Sequence, residues 1–166
     1  MENFTPLNAV LGAVGVHTLT ITDNDTEVGT PYCSAVPNST GAPSSIMGIG
    51  SAVASDNDLT LVVTDLPVGA FGFFVVSAEQ IVVLNPGGSQ GNLCNGSFMM
   101  ARYSNSMQTA DSNGLVSMPL NLAALPFPGG AVSVAAGETW NWQLWHRDSN
   151  PDPTSNFSNA LAVTFQ

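Results

Sequence analysis

The chain has 166 residues, a length that suits one domain with its own hydrophobic core. Twelve acidic residues stand against only two basic ones, Arg102 and Arg147, and the net charge of -10 argues against nucleic acid as a partner, because phosphate backbones are bound through Lys and Arg. Apolar stretches such as Val68–Val76 are too short to span a bilayer, so we expect no membrane insertion.

The apolar segments are short, β-branched or alternating, and they are separated by Gly, Pro, Asn and Asp. No amphipathic helix pattern interrupts them, so the pattern predicts an all-β fold. Strands at this spacing favour a two-sheet antiparallel sandwich of the immunoglobulin or fibronectin type III kind, with a jelly roll as the alternative. In chain order, the predicted strands are Val16–Thr22, Ile46–Val53, Leu59–Thr64, Phe71–Ser77, Ile81–Leu84, Phe98–Ala101, Leu115–Leu122, Val132–Ala135, Thr139–Arg147 and Ala160–Phe165.

The N-terminal segment Thr18–Asp25 reads Thr-Leu-Thr-Ile-Thr-Asp-Asn-Asp. It resembles the closing strand and acidic tail of Calx-β repeats. The resemblance implies that residues 1–28 are a linker or the remnant of an upstream module, and that the sandwich domain occupies residues 29–166. The alternative is that this segment is the first strand of the domain itself.

The C-terminal segments carry a second resemblance. A turn and a long strand at Gly137–Asp148, followed by Ser155–Phe165, resemble the last two strands of fibronectin type III domains. Together with Tyr32-Cys33 and Asn85–Cys94, they are similar to C-terminal modules of large secreted proteins of aquatic bacteria. This resemblance implies one module of a larger extracellular or cell-surface protein, and it implies no particular reaction.

Cys33 and Cys94 are the only cysteines. The chain has 8% charged residues and depends on neutral polar groups for solubility, which suits an extracellular compartment. There the two thiols are expected to form one disulfide, closing a loop of about 60 residues and adding roughly 4 kcal/mol of stability. Two separate buried thiols are the alternative, and a zinc site lacks the necessary ligands.

Two-residue alternation in the Trp-rich strand predicts which side chains face the core. Trp145 falls in the outward row, between Gln143 and Arg147, where an aromatic ring has no packing partner. In the strand Phe71–Ser77, the same reasoning points Phe74 outward. The predicted inward side chains are Trp140, Trp142, Leu144 and His146 in the first strand and Phe71, Phe73 and Val75 in the second.

If these two strands are neighbours, Phe74 and Trp145 form an exposed aromatic platform. Sugar rings stack their C–H faces on such platforms, while Gln143, Arg147 and Asp148 could hydrogen-bond the hydroxyl groups. Polysaccharide is therefore one candidate partner. The alternative is that a loop or a neighbouring domain covers Trp145.

Asp148, Asn150 and Asp152 alternate in a way that can place oxygen ligands around a structural Ca²⁺ ion. No Gly and bidentate Glu of an EF-hand loop follow them, and Asx residues beside Pro commonly form turns. We expect no other cofactor.

Gly87-Gly88-Ser89-Gln90-Gly91 matches the pattern of a hydrolase nucleophile elbow. The residues that follow are not helical, and a Ser89 hydrolase would need His17 or His146 within reach of the hydroxyl. We therefore expect no enzyme, and a serine hydrolase is a remote alternative. The expected function is a non-catalytic accessory or adhesion module, and the main alternative is a structural spacer that packs against neighbouring domains. A solvent-exposed Trp145 side chain favours the accessory or adhesion module, and a buried one favours the structural spacer.

Overall fold

The computed structural model describes residues 26–96 and 99–166. The predicted strand Val16–Thr22, the segment Thr18–Asp25, His17 and the predicted strand start at Phe98 lie outside the described residues. Two short 3-10 helices, Ala54–Asp56 and Pro86–Gly88, accompany the strands. The strands are β1 (Glu27–Val28), β2 (Thr30–Tyr32), β3 (Ser45–Gly50), β4 (Leu59–Thr64), β5 (Phe71–Ser77), β6 (Gln80–Val83), β7 (Leu93–Asn95), β8 (Met100–Arg102), β9 (Gln108–Thr109), β10 (Val116–Pro119), β11 (Thr139–Ser149) and β12 (Pro153–Thr164).

Two antiparallel sheets pack face to face, which confirms the predicted all-β sandwich. Sheet A has the strand order β1-β3-β4-β10, and sheet B has the order β2-β12-β11-β5-β8, with β9 also paired to β5. Along the chain, β2 leaves sheet A for sheet B and β3 returns to sheet A, and further crossings follow β4, β9 and β10. Neighbouring β4 and β10 in one sheet and neighbouring β5, β11 and β12 in the other match the strand order of immunoglobulin-like domains.

The core between the sheets follows the two-residue period of the strands. On β4, Leu59, Leu61 and Val63 are buried and the residues between them are partly exposed. On β11, Trp142 is 0% exposed and meets the ring of Phe165 edge-on at 6.2 Å between centroids. The whole predicted inward row of this strand is confirmed as buried: Trp140, Trp142, Leu144 and His146.

The observed strands differ from the predicted ones mainly at segments with little alternation. β4 and β5 have the predicted bounds, whereas β12 begins at Pro153, well before the predicted Ala160. The predicted strand Val132–Ala135 is reduced to one isolated bridge between Leu125 and Val132. The strands β1, β2, β7 and β9 were missed, because segments of two or three residues are too short to show a period.

The sandwich extends slightly into the predicted linker 1–28. Glu27 and Val28 pair with β3, and Val28 is buried in the core. Residues 1–25 lie outside the part of the chain that the structure describes, so their assignment to a linker or an upstream module stays a prediction. Among the helical segments of the described chain, none has the length and apolar character to cross a membrane.

A third sheet, the β6–β7 hairpin, lies against the outer face of sheet B. The predicted disulfide is present: Cys94 on β7 is bonded to Cys33, which directly follows β2, with the two Cα atoms 6.4 Å apart. The hydroxyl of Tyr32 also donates a hydrogen bond to the carbonyl of Cys94 at 3.1 Å. Covalent and polar contacts therefore tie the hairpin to the edge of sheet B, and the disulfide is compatible with an oxidising compartment.

Removing the disulfide is expected to lower the free energy of unfolding by about 4 kcal/mol, because the bridge spans 61 residues and restricts the unfolded chain. Urea denaturation of the oxidised protein and of the double variant Cys33→Ala, Cys94→Ala measures this difference. The reduced wild type serves as control and should unfold at the midpoint of the double variant. Equal midpoints for the oxidised and reduced wild type would contradict a stabilising bridge.

Candidate functional site

Strand β5 presents the opposite row of side chains from the predicted one. Phe74 is 0% exposed in the main core, so the prediction that it points outward is wrong. Phe71 is 44% exposed and Phe73 is partly exposed, so the prediction that both point into the core is also wrong. The register explains the reversal: Phe73 lies opposite Trp145 and Phe74 opposite Leu144, and directly opposed residues share a face.

Trp145 lies on the outer face of sheet B, as predicted, and is partly exposed. Its ring stacks on Phe73, with 4.9 Å between centroids and 29° between planes. Phe71 meets it edge-on at 6.4 Å. The aromatic surface therefore exists, but its second ring comes from Phe73 rather than from Phe74.

The surface is concave because the β6–β7 hairpin rises beside it. Val75, Leu93 and Phe157 form a small second hydrophobic cluster under the hairpin, separate from the main core. Next to this cluster lies a cavity of about 250 Å³, which we call the aromatic cleft. Its walls include Phe73, Trp145, Phe157, Leu93, Met100 and Arg102.

A β-bulge on β12 places Phe157 in the cleft. Between the pairs Gln143–Ala160 and Trp145–Phe157, β11 advances two residues and β12 advances three. The extra residue reverses the alternation of β12, so Phe157 faces outward while Leu161 faces the main core. Phe157 lies before the predicted start of this strand at Ala160, and a strict two-residue period carried back from Leu161 would have pointed it into the core.

Gln143 has a structural role rather than the predicted ligand-binding one. It is 0% exposed, and its Oε1 accepts a hydrogen bond from the Cys94 N–H at 2.9 Å. Its Nε2 donates to the carbonyls of Asn92 at 2.8 Å and Ser158 at 2.7 Å. This buried amide therefore attaches β7 to sheet B and leaves no side-chain group free to meet a ligand.

Arg147, one of the predicted site residues, stands over the rings of Trp145 and Phe71 at the edge of the cleft. Its guanidinium carbon is 5.3 Å from the ring centroid of Trp145 and 6.0 Å from that of Phe71. Both distances are in the range of a cation–π contact. Arg102, which was not among the predicted site residues, lines the cleft from β8.

Asp148 belongs to the opposite, inward row of β11 and is 8% exposed. Its carboxylate accepts hydrogen bonds from the N–H groups of Ser39 and Ser149. Burial acts to raise the pKa of Asp148, but these hydrogen bonds outweigh it and hold the pKa below its ordinary value. The carboxylate of Asp148 therefore holds the loop at Ser39 and lies on the other side of sheet B from the cleft.

The residues of the predicted calcium site form a turn. The N–H of Asn150 donates to the carbonyl of Asp152 at 3.0 Å, and the peptide bond from Asn150 to Pro151 is cis. Within residues 26–96 and 99–166, no group of three or more His, Cys, Asp and Glu side chains is arranged to hold a metal ion. Asp148, the first residue of the predicted calcium site, accepts hydrogen bonds from two backbone N–H groups, and the calcium site stays a prediction.

Ser89 is 2% exposed, and its hydroxyl donates to the carbonyl of Ser155 at 2.9 Å. His146 lies elsewhere: its Nε2 is 3.2 Å from the hydroxyl of Ser44, and its Nδ1 is 3.1 Å from the carbonyl of Arg147. These contacts hold the serine and the histidine in separate structural networks. His17 lies outside the described residues.

The cleft combines an apolar stacking surface with two cationic side chains at its edge. Such a surface can hold a ligand by ring stacking and by charge-assisted hydrogen bonds. No protein-family model matches the sequence, and no curated protein matches it either.

The observed orientation of β5 predicts unequal losses of stability for two adjacent phenylalanines. Phe74→Ala should lower the free energy of unfolding by about 3–5 kcal/mol, because it leaves a cavity in the main core. Phe73→Ala should cost clearly less, since Phe73 is partly exposed on the outer face. Urea denaturation of both variants makes the comparison on one strand, and a larger loss for Phe73→Ala would contradict the register.

Protonation of His146 should destabilise the fold. Burial lowers its pKa below the ordinary 6.5, although the Arg147 carbonyl and the charge of Asp148 act in the other direction. The unfolded chain therefore binds the proton first as the pH falls, so stability should decrease below pH of about 6.5 and level off below the folded-state pKa. Asp148 stays ionised over this range, because its own pKa is lowered.

Urea midpoints of the wild type and of His146→Gln, taken near pH of about 7.5 and about 5.5, measure this effect. The variant should show a smaller decrease than the wild type between the two values. His17→Gln is the matched control, since it removes the other histidine of the chain. An equal decrease in the wild type and in His146→Gln would show that His146 is not the responsible group.

Proposed function

We propose that this protein is a non-catalytic accessory or adhesion module that binds carbohydrate in the aromatic cleft and serves a larger secreted protein. The observation that carries the proposal is the partly exposed Trp145 ring, stacked on Phe73 and standing at the wall of a concave surface. A ring that only filled the core would have been sealed, as Trp140 and Trp142 are.

The chemistry of the cleft suits a sugar chain. Sugar rings present C–H groups on their faces, which pack on Trp145 and Phe157, and polar groups on their edges, which need donors such as Arg102 and Arg147. The cavity of about 250 Å³ is slightly below the usual 300–1,000 Å³ of small-molecule sites. A cavity of that size suits one part of an oligosaccharide whose remaining sugar rings continue along the protein surface.

The extracellular or cell-surface location is part of the same proposal. It is supported by the disulfide between Cys33 and Cys94, which persists in oxidising compartments. The low content of charged residues and the acidic net charge support it as well.

A second candidate function is a structural module that packs against neighbouring domains of its parent protein. It is favoured by the tip of the β6–β7 hairpin, where Val82 is 65% and Leu84 69% exposed. Val83 between them is also 37% exposed, but exposed apolar residues are common on protein surfaces, so this observation is weaker than the concave aromatic surface.

Trp145→Ala is expected to weaken glycan binding at least about tenfold, equivalent to about 1.4 kcal/mol, because the stacking surface is lost. A glycan array screen of the wild type, followed by isothermal titration of the best binder, provides the measurement. Trp145→Phe should retain part of the affinity, since it keeps a flat ring.

The control variant Val82→Ala removes an exposed apolar side chain from the hairpin and should leave the affinity unchanged. Thermal melts of each variant establish that the fold persists. If neutral and acidic glycans all fail to bind the wild type, the carbohydrate proposal is wrong and the structural module becomes the better explanation.

A further inference from the structure

The two basic residues of the chain are found at the same site. The sequence has no lysine, and Arg102 and Arg147 are its only arginines, against twelve acidic residues. Arg102 lines the aromatic cleft, and Arg147 stands over the rings of Trp145 and Phe71 at its edge. Every fixed positive side-chain charge of the chain therefore lies beside one aromatic surface.

Neither guanidinium is used to hold the described fold together. Within the described ranges, no carboxylate forms an ion pair and no acceptor forms a hydrogen bond with the side chain of Arg102 or Arg147. The contacts of Arg147 are with ring faces, which leave the N–H groups at the edge of its plane available. A planar fork of N–H donors matches a carboxylate or a sulfate better than a neutral hydroxyl.

The nearest acidic neighbour in sequence does not neutralise the site. Asp148 follows Arg147 directly, but it belongs to the inward row of β11 and its carboxylate is hydrogen-bonded to Ser39 and Ser149. Its charge is therefore directed to the other side of the sheet from the cleft.

The register of sheet B places the two arginines at opposite ends of the aromatic surface. Arg102 lies opposite Val75, and Arg147 lies two positions beyond Trp145 on β11. With a rise of about 3.3 Å per residue and about 4.8 Å between strands, their Cα atoms are roughly 16 Å apart. The stacked rings of Phe73 and Trp145 lie between them.

We propose that the cleft recognises acidic glycans, chains whose sugar rings stack on Trp145 and whose carboxylate or sulfate groups bind Arg102 and Arg147. This inference rests on the proposed carbohydrate-binding function and specifies its ligand. The separation of the arginines selects an oligosaccharide over a single ring. The net charge of -10 selects a sparsely charged chain over nucleic acid, whose backbone carries one charge per roughly 1.7 Å.

Matched pairs of oligosaccharides test the charge requirement. The probes are β-1,4-mannohexaose with the corresponding mannuronate hexamer, which differ only in oxidation at C6, and a κ-carrageenan hexasaccharide with its desulfated form. Isothermal titration is performed at an ionic strength of about 0.15 M, where the Debye length of about 8 Å screens distant acidic residues. At least one acidic probe should bind the wild type tenfold or more tightly than its neutral counterpart.

Arg102→Gln and Arg147→Gln should each weaken binding of that acidic probe about tenfold and weaken binding of the neutral probe far less, because Gln still donates hydrogen bonds to hydroxyl groups but carries no charge. Ser117→Glu is the charge control, because it makes the same change in net charge from an exposed position on β10 of the opposite sheet. It should leave both affinities unaltered. Thermal melts confirm that the arginine variants remain folded.

The outcomes separate this inference from the function on which it rests. Equal binding of acidic and neutral probes, or acidic binding that is insensitive to both arginine substitutions, overturns the charge selection and leaves carbohydrate binding in place. Failure of all four probes and of the glycan array overturns both. A hexaglutamate peptide that binds through the arginines as tightly as the best glycan overturns the inference in favour of an acidic protein partner.

Discussion

The pairing of β5 with β11 is the constraint on which the rest of the structure depends. Opposite Leu144 lies Phe74, and opposite Trp145 lies Phe73. One row fills the space between the sheets, and the next row forms the floor of the cleft. A slip of β5 by one residue against β11 would turn its side chains to the opposite faces, exposing Phe74 and burying Phe73, so core packing and the aromatic cleft are set by the same hydrogen-bond ladder.

The concavity depends on a second, smaller layer that the sandwich supports. The buried amide of Gln143 hydrogen-bonds the backbone of Asn92 and Cys94, and the disulfide fixes β7 to the end of β2. The outer face of sheet B would be flat without this hairpin, because antiparallel strands alone make no wall. Both arginines of this acidic chain lie beside the resulting cleft, so the same site has an aromatic surface and the positive charges of the chain.

Much of the fold was predictable from the sequence, because strands such as β4 alternate clearly and the Trp-rich strand has one unambiguous inward row. The two cysteines likewise allowed a single pairing. The orientation of β5 was not predictable, since Phe71, Phe73 and Phe74 are all apolar and the strand is buried on parts of both faces. Phe157 was hidden by a bulge, and Arg102 by a short strand, which local patterns do not reveal.

The β6–β7 hairpin separates the residues that form the main core from residues that shape the aromatic cleft. Only one side of the cleft is built from the sandwich, and the other side is contributed by a segment that includes Pro86, Gly87 and Leu93. Substitutions or length changes in that segment alter the shape of the hollow without disturbing the layer of Trp142 and Phe74 beneath. Under the proposed function, ligand preference can therefore change through this segment while the sandwich is retained.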